Sequence, residues 1–131
     1  MPRSEARSRT AARSSAPEEL KSLARLRQIT LSVVGRKSGK WLSFPVWFVL
    51  EDGQIYLLPV YGSQTQWYKN LRKTPRVRIS ARGEEAELRA KLLTGAKQVA
   101  SVRAKFRERY GADNIKKYYS ILDVAVQVDI S

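Results

Sequence analysis

The sequence predicts a small α+β, mainly β domain: a six-stranded antiparallel barrel with two to four helices at its loops and ends. Three observations lead there. Apolar runs rich in β-branched or alternating residues recur along the chain. Glycine-containing turns separate several of them, and segments with helical periodicity lie between others. At 131 residues, the chain is long enough for one domain with a single core.

Six strands are predicted from these runs. The first holds Ile29, Val33 and Val34 and ends at a glycine turn, and the second leads to an Asp52-Gly53 hairpin. In the fifth, alanine and leucine alternate with charged residues without exception, which is typical of a half-buried strand. The predicted ranges are 29–34, 42–50, 54–60, 76–80, 84–93 and 124–130, with Arg82-Gly83 as the turn before the fifth.

Helices are predicted where caps and breakers bracket good helix formers. Pro17 begins a short helix through about Gln28, with its packing side formed by leucines. Ser63 is the predicted N-cap of a helix over 64–73, which Pro75 ends. A third helix follows Thr94 and runs to about Tyr110, with Val99, Val102 and Phe106 on its core side. A short fourth starts near Asp113 and carries Tyr118 and Tyr119.

Composition restricts the chemistry. The chain has no Cys and no His, which excludes disulfides, thiolate metal sites, imidazole bases and serine–histidine triads. Its acidic residues show no cluster suited to a hard metal, so no metal site is predicted. No apolar run is long enough to cross a membrane. We therefore expect a cytoplasmic protein, with a disordered basic tail at residues 1–16 and a single domain at residues 17–131.

A net charge of +13 makes polyanions attractive partners. Nucleic acid is one alternative, because basic residues interleave with aromatic residues such as Trp41 and Trp67 that could stack on single strands. However, the basic residues are spread over the chain, and the aromatic residues fall mostly in apolar runs, where core packing explains them. Nucleic acid is therefore an unlikely partner that composition does not exclude.

The cationic turn, residues Gly35 to Lys40, is the most distinctive local motif. Two glycines enclose Arg36, Lys37 and Ser38, and Lys40 follows. Glycines permit a sharp turn and close approach to a ligand, while cations and amides suit a phosphate or carboxylate. The spacing is not that of a P-loop, since only three residues separate the glycines and Trp41 follows the lysine. From these residues alone, an anion site and an ordinary solvated hairpin turn both remain open.

Three blocks together resemble the deazaflavin-dependent nitroreductase family. They are the cationic turn, the Pro45-Val46-Trp47-Phe48-Val49 run with its Asp-Gly hairpin, and Gln66 to Leu71 followed by Thr74-Pro75-Arg76-Val77. The resemblance covers about residues 29–93. It implies a split β-barrel related to flavin-mononucleotide-binding oxidases, and coenzyme F420 as cofactor, with flavin mononucleotide (FMN) as the alternative. It also implies reduction of quinone-like or other electron-poor small molecules by hydride transfer, and a possible homodimer.

The resemblance further implies site residues. Arg36, Lys37, Ser38, Gly39 and Lys40 would hold the cofactor's phosphate and acidic tail. The ring would lie along Pro45, Val46 and Trp47 and beside the loop Val60-Tyr61-Gly62-Ser63, near Trp67. Tyr118 and Tyr119 would face the substrate.

Three positions depart from the family pattern. Trp41-Leu42 stands where Pro-Arg is common, and Val60 replaces a serine tied to substrate positioning, which disfavours nitroimidazole reduction. Two alternative functions also stand: an FMN-binding protein on the barrel that the resemblance implies, and a non-catalytic module that binds a cofactor or nucleic acid.

Overall fold

A computed structural model describes residues 28–130. Seven strands form one curled antiparallel sheet with the order β2-β1-β5-β6-β7-β4-β3. The strands are β1 (Gln28–Val34), β2 (Trp41–Trp47), β3 (Val49–Glu51), β4 (Gln54–Leu57), β5 (Arg76–Ala81), β6 (Glu84–Leu93) and β7 (Ala125–Asp129). The helices are a 3₁₀ turn (Gly62–Gln64), α1 (Gln66–Lys73), α2 (Ala96–Tyr110) and α3 (Ala112–Tyr118). The mainly β, antiparallel prediction is confirmed.

The long strand β6 produces the curl. Its first part, Glu84 to Arg89, pairs with β5, and its last part, Ala90 to Leu93, pairs with β7. One strand therefore belongs to two half-sheets that face different directions. The two edge strands of the sheet, β2 and β3, are consecutive in the sequence, so the two edges lie near each other. The curled sheet thus encloses a core, as a half-barrel does.

Seven strands form rather than the predicted six because the second run is divided at Phe48. The buried Tyr110 hydroxyl accepts a hydrogen bond from the Phe48 N–H at 3.2 Å and donates one to the Phe48 carbonyl. A side chain thus satisfies the backbone groups that a neighbouring strand would otherwise satisfy. Phe48 is fully buried, and the chain passes from one end of the sheet to the other at this residue.

Other boundaries shift slightly. The third predicted strand ends at Leu57, not Val60, and the cap of α2 is Gly95, not Thr94. Gly111 ends α2 with a φ of 92°, as its position suggested. The predicted tail at residues 1–16 and nearly all of the first predicted helix lie outside the described residues. That helix's last residue, Gln28, is the first residue of β1.

Two clusters of buried side chains hold the elements together. One fills the inside of the curled sheet and includes Leu31, Ile79 and Val126, with Trp67 and Leu71 of α1 closing one end. The other cluster lies between helices α2 and α3 and the outside of the half-sheet formed by the end of β6 with β7, β4 and β3. Its members include the predicted face of α2, namely Val99, Val102 and Phe106. The helices thereby fix the loops that flank β2 and β4.

Candidate functional site

A cavity of about 670 Å³ opens beside β2 and has mostly apolar walls. Strand β2 contributes Pro45, Val46 and Trp47. The chain after β4 contributes Val60 and Tyr61, the first turn of α1 contributes Trp67, and Tyr118 and Tyr119 close the far side. Eight predicted site residues, separated by up to 74 positions in the chain (119 minus 45), therefore meet at one cavity.

The edge position of β2 gives this cavity a polar stripe. Within residues 28–130, β2 pairs with β1 along one side only, so alternate N–H and C=O groups on its other side have no strand partner there. Pro45 lacks an N–H and is tolerated here because the strand lies at an edge. An edge backbone beside an apolar cavity suits a flat ring system with polar atoms at its rim.

Five further residues line the cavity and were not predicted. Phe44 shares a face of β2 with Val46, and Thr65 and Gln66 directly precede Trp67. All three could have been inferred by extending the predicted motifs to neighbouring residues. The remaining two are Gln28 and Leu58. Gln28 could not have been inferred, because the sequence placed it in a helix.

Trp47 is the centre of an aromatic cluster that forms one wall. Its ring stacks on Tyr110 with centroids 4.5 Å apart, meets Tyr118 edge-on at 5.5 Å, and lies 6.2 Å from Tyr119. Contacts on several sides restrict the rotamers of this indole. The wall is therefore preorganised for a ligand.

The two tyrosines predicted on the substrate side differ in environment. Tyr119 is buried, and this burial, together with the neighbouring Tyr110, raises the pKa of its hydroxyl above the ordinary value. Tyr119 therefore stays protonated at physiological pH. Tyr118 is half exposed and packs its ring against Trp47 at the mouth of the cavity.

The cationic turn is a closed hairpin. The Gly35 N–H donates to the Lys40 carbonyl at 2.8 Å, and the Gly39 N–H donates to the Gly35 carbonyl at 2.9 Å. The Ser38 hydroxyl accepts from the Lys40 N–H at 3.1 Å. Gly39 has a φ of 74°, where a residue with a Cβ would be strained. The N–H groups of Gly35, Gly39 and Lys40 are thus already hydrogen-bonded within the turn.

Arg36 makes contacts within the protein. Its backbone N–H and its guanidinium both donate to the Oδ1 atom of the buried Asn70, at 3.1 and 2.8 Å. The guanidinium also donates to Oε1 of Gln66 at 2.7 Å, and Lys73 donates to the Arg36 carbonyl. Arg36 therefore anchors the turn to α1. Since Gln66 lines the cavity, this contact also places the turn next to it.

Lys37 and Lys40 are exposed, as are Ser38 and Gly39. Among residues 28–130, no side-chain partner holds either ammonium group. None of these four residues lines the cavity itself. Their charges are available for the acidic end of a ligand that extends out of the cavity past Gln66.

The Gly62-Ser63 segment does not line the cavity either, and its predicted roles need correction. The N-cap of α1 is Thr65, not Ser63. The Ser63 N–H and hydroxyl donate to the Asp123 carboxylate at 2.9 and 2.7 Å, and these hydrogen bonds lower the pKa of Asp123. Gly62 has no Cβ and a φ of 56°, and an added Cβ would lie 2.1 Å from Asp123. The protein's own Asp123 carboxylate thus occupies the N–H and hydroxyl donors of Ser63.

Residues 28–130 contain neither a candidate metal site nor a helix that could span a membrane. No three His, Cys, Asp or Glu side chains lie close enough to hold a metal ion. None of the helices there combines the length and apolarity needed to cross a bilayer.

Solved structures with the same fold include three informative ones. An F420-H2-dependent reductase is 20% identical over 79% of this chain and 95% of its own, with a TM-score of 0.62. A structure described as a domain-swapped dimer is 20% identical over 95% of both chains, with a TM-score of 0.63. An FAD-binding protein from Mesorhizobium loti is 18% identical over 87% of this chain and 88% of its own, with a TM-score of 0.60. At these identities the likeness establishes the fold, a split β-barrel.

No curated protein sequence matches this chain. The model of the F420H(2)-dependent quinone reductase family does match it, over residues 5–130. That range includes β2, the cavity and the cationic turn. This chain belongs to the F420H(2)-dependent quinone reductase family.

Proposed function

We propose that this protein is an oxidoreductase that reduces quinone-like or other electron-poor small molecules with a hydride from reduced coenzyme F420. The observation that carries the proposal is the cavity beside β2. The edge backbone of β2 and the Trp47 wall would contact the ring of the cofactor. The cationic turn next to the cavity would contact its acidic end. The family and the F420-dependent reductase with the same fold support this choice.

The cavity fits the ring portion of such a cofactor. Its volume is within the roughly 300–1,000 Å³ typical of small-molecule sites. Pro45, Val46 and Trp47 would contact the ring, with Val60, Tyr61 and Trp67 on its other sides. Lys37 and Lys40 would contact the phosphate and the acidic tail, because both are exposed and neither ammonium group has a side-chain partner among residues 28–130. Arg36 would contribute indirectly, by holding the turn against α1.

The reduced cofactor supplies the hydride, so the protein needs no histidine base. What this chain would provide is position and exclusion of water. The Tyr119 hydroxyl stays protonated, since burial raises its pKa, and so it can donate a hydrogen bond to a carbonyl oxygen on which negative charge develops. Tyr118 would cover the open side.

The test is a fluorescence titration of oxidised and reduced coenzyme F420 with the full chain. We expect saturable binding below the high-micromolar range. Changing Lys37→Ala together with Lys40→Ala should raise Kd by about tenfold or more, because charge-assisted contacts to the tail are lost. The unfolding midpoint should stay unchanged, since both side chains are exposed.

A matched control is the double change Arg89→Ala with Lys91→Ala on β6, which removes the same charge away from the turn. An equal loss of affinity in this control would show that net charge, and not the turn, attracts the cofactor. No saturation with F420, together with ordinary FMN binding, would overturn the cofactor assignment.

FMN is the second candidate, supported by the fold shared with an FAD-binding protein. A yellow protein on purification would favour it. Substrate choice is tested separately, by comparing quinone and nitroimidazole reduction. We expect the quinone to be preferred, because Val60 offers no hydroxyl at the cavity.

Assembly and location complete the proposal. A homodimer is supported by the related structure described as a domain-swapped dimer. A cytoplasmic location would suit the absence of cysteine and the use of a reduced cofactor.

A further inference from the structure

The cationic turn and helix α1 form one positively charged surface. Residues 28–50 and 53–83 contain no aspartate or glutamate, so this part of the chain has no carboxylate of its own to offset its lysines and arginines. We call the surface the turn–helix surface; its cations are Arg36, Lys37, Lys40, Lys69 and Lys73. These residues are up to 37 positions apart in the sequence, and the fold brings them together.

Hydrogen bonds fix the turn against the helix. The Lys73 ammonium donates to the Arg36 carbonyl at 3.1 Å. The Arg36 guanidinium donates to Oδ1 of Asn70 at 2.8 Å and to Oε1 of Gln66 at 2.7 Å. Lys69 lies one turn before Lys73, and residues four positions apart share a side of a helix. The backbone that carries the five cations is therefore held as one unit.

The charge of this surface is not neutralised within residues 28–130. The side-chain partners of Arg36 are neutral amide and carbonyl oxygens, so its positive charge remains. No carboxylate of that range forms an ion pair with any of the five cations. Lys37, Lys40 and Lys73 are exposed, and Arg36 and Lys69 are half-buried. Anionic groups of a partner can therefore approach the lysines directly.

The carboxylates nearest to this surface face other cations. Glu87 pairs with both arginines of β5. Burial raises the pKa of the Tyr68 hydroxyl, and of the two charges that also act on it, Arg72 lowers the pKa and Asp123 raises it. Arg72 and Asp123 thus lie near one hydroxyl and offset each other. These three arginines are therefore not counted among the cations of the turn–helix surface.

The aromatic side chains beside the surface are already packed within the protein. Trp67 and Tyr68 of α1 are buried. Trp41 directly follows the turn, and the Arg78 guanidinium lies 4.0 Å from the centre of its ring. Stacking on nucleic-acid bases needs an open aromatic face, whereas contacts to phosphate need only donors and charge. Phosphates, rather than bases, are therefore the groups that this surface can contact.

We propose that the turn–helix surface binds the phosphate backbone of nucleic acid without sequence preference. Lysine and arginine side chains donate charge-assisted hydrogen bonds to phosphate oxygens. Duplex DNA carries one negative charge about every 1.7 Å of its axis. An extended acidic polypeptide carries at most one charge about every 3.4 Å, so it presents a weaker field to the same five cations. This binding is a second function, independent of the proposed reductase activity, although Lys37 and Lys40 belong to both sites.

The experiment is a fluorescence anisotropy titration of a labelled 20-base-pair DNA duplex with the full chain, without cofactor, at several salt concentrations. The logarithm of the association constant should fall linearly with the logarithm of the salt concentration. Changing Lys69→Gln together with Lys73→Gln should make this slope shallower by about 1.8, because each phosphate contact contributes about 0.9. At about 100 mM salt, Kd should rise by about tenfold.

These variants separate nucleic-acid binding from folding and from the cofactor. Neither Lys69 nor Lys73 lines the cavity. Glutamine at position 73 can still donate to the Arg36 carbonyl, so the unfolding midpoint should stay unchanged. The matched control is Arg89→Gln with Lys91→Gln on β6, which removes the same charge outside the surface and should leave the salt slope almost unchanged.

Three results would overturn this proposal. The first is an unchanged salt slope in the α1 double variant, which would place the phosphate contacts elsewhere, for example at the four arginines of residues 1–16. The second is an equal change of slope in the β6 control, which would indicate attraction by net charge only. The third is displacement of the duplex by poly-L-glutamate at equal charge concentration, which would assign the surface to an acidic polypeptide. Duplex binding is measured without cofactor, so its failure and failure of the reductase proposal are distinguishable.

Discussion

Arg36 lies in the cationic turn, yet its guanidinium donates to Asn70 and Gln66 within the protein. The sequence shows only that an arginine follows a glycine. That pattern is as typical of an arginine that binds an anion as of one that bonds within the protein. The two partners are 30 and 34 positions away, and their distance in the sequence gives no sign of the contact. An arginine with its donors already used binds an added anion less readily than the exposed Lys37.

We expect Arg36→Ala to lower the free energy of unfolding by about 1–2 kcal/mol. The change removes charge-assisted hydrogen bonds. Of the two donors that residue 36 gives to Oδ1 of the buried Asn70, only its backbone N–H remains. Chemical denaturation measures the effect, with Lys37→Ala as the neighbouring control that should cost almost nothing. Should Arg36→Ala unfold like the wild type while cofactor affinity collapses, Arg36 would be a direct ligand and not an anchor.

Asp123 gives a residue-scale prediction about pH. Hydrogen bonds from Ser63 lower its pKa in the folded state, so the ionised form contributes stability above the unfolded pKa of about 4. That contribution is lost as pH falls through the lower, folded pKa. Between about pH 5 and pH 2, wild-type stability should therefore fall more steeply than that of Asp123→Asn.

Denaturation curves across that range measure the difference. Asp52→Asn is a suitable control, because Asp52 sits in a hairpin turn with a φ of 52° that asparagine also adopts. Identical slopes for wild type and Asp123→Asn would contradict the role given to the Ser63 contact.

At the scale of elements, the break between β2 and β3 depends on one hydroxyl of α2. Phe48 is fully buried, and Tyr110 satisfies both of its backbone groups. The apolar run from Phe44 to Leu50 looks like one strand, because the pattern of side chains does not reveal where a backbone leaves a sheet. The satisfying group comes from a helix 62 positions later.

Tyr110→Phe should lower the free energy of unfolding by about 2–3 kcal/mol, since it leaves a buried N–H and a buried carbonyl without this partner. The measurement is the denaturation midpoint at a constant m-value. Tyr118→Phe, at a half-exposed ring, is the matched control and should change stability by less than about 0.5 kcal/mol. Equal stability of Tyr110→Phe and wild type would mean that water replaces the hydroxyl.

At the scale of the whole molecule, one strand and one edge determine where a ligand can bind. The division of β6 between two partners curls the sheet, and among residues 28–130 β2 lies at one end of the strand order with no strand on its other side. The helices then bring Trp67 and Tyr119 to that free edge. A cavity with an ordered aromatic wall is the result, although the residues around it belong to five separate segments of the chain.

Local signals in the sequence determined most elements. The uninterrupted alternation in β6, the Asp52-Gly53 turn and the periodic face of α2 each come from neighbouring residues, and all three are confirmed. The resemblance to a deazaflavin-dependent family likewise needed only the order of three motifs, and the family match agrees with it.

Only the tertiary structure decided which polar groups are still available to a ligand. In the folded chain, Arg36 donates to Asn70 of α1 and Ser63 donates to Asp123, whereas Lys37 and Lys40 are exposed. The tertiary structure also divided the second strand at Phe48 and added Gln28 and Gln66 to the cavity. The physical reason is that hydrogen-bond partners are chosen by proximity in the folded chain, and these partners lie between 30 and 62 positions apart in sequence.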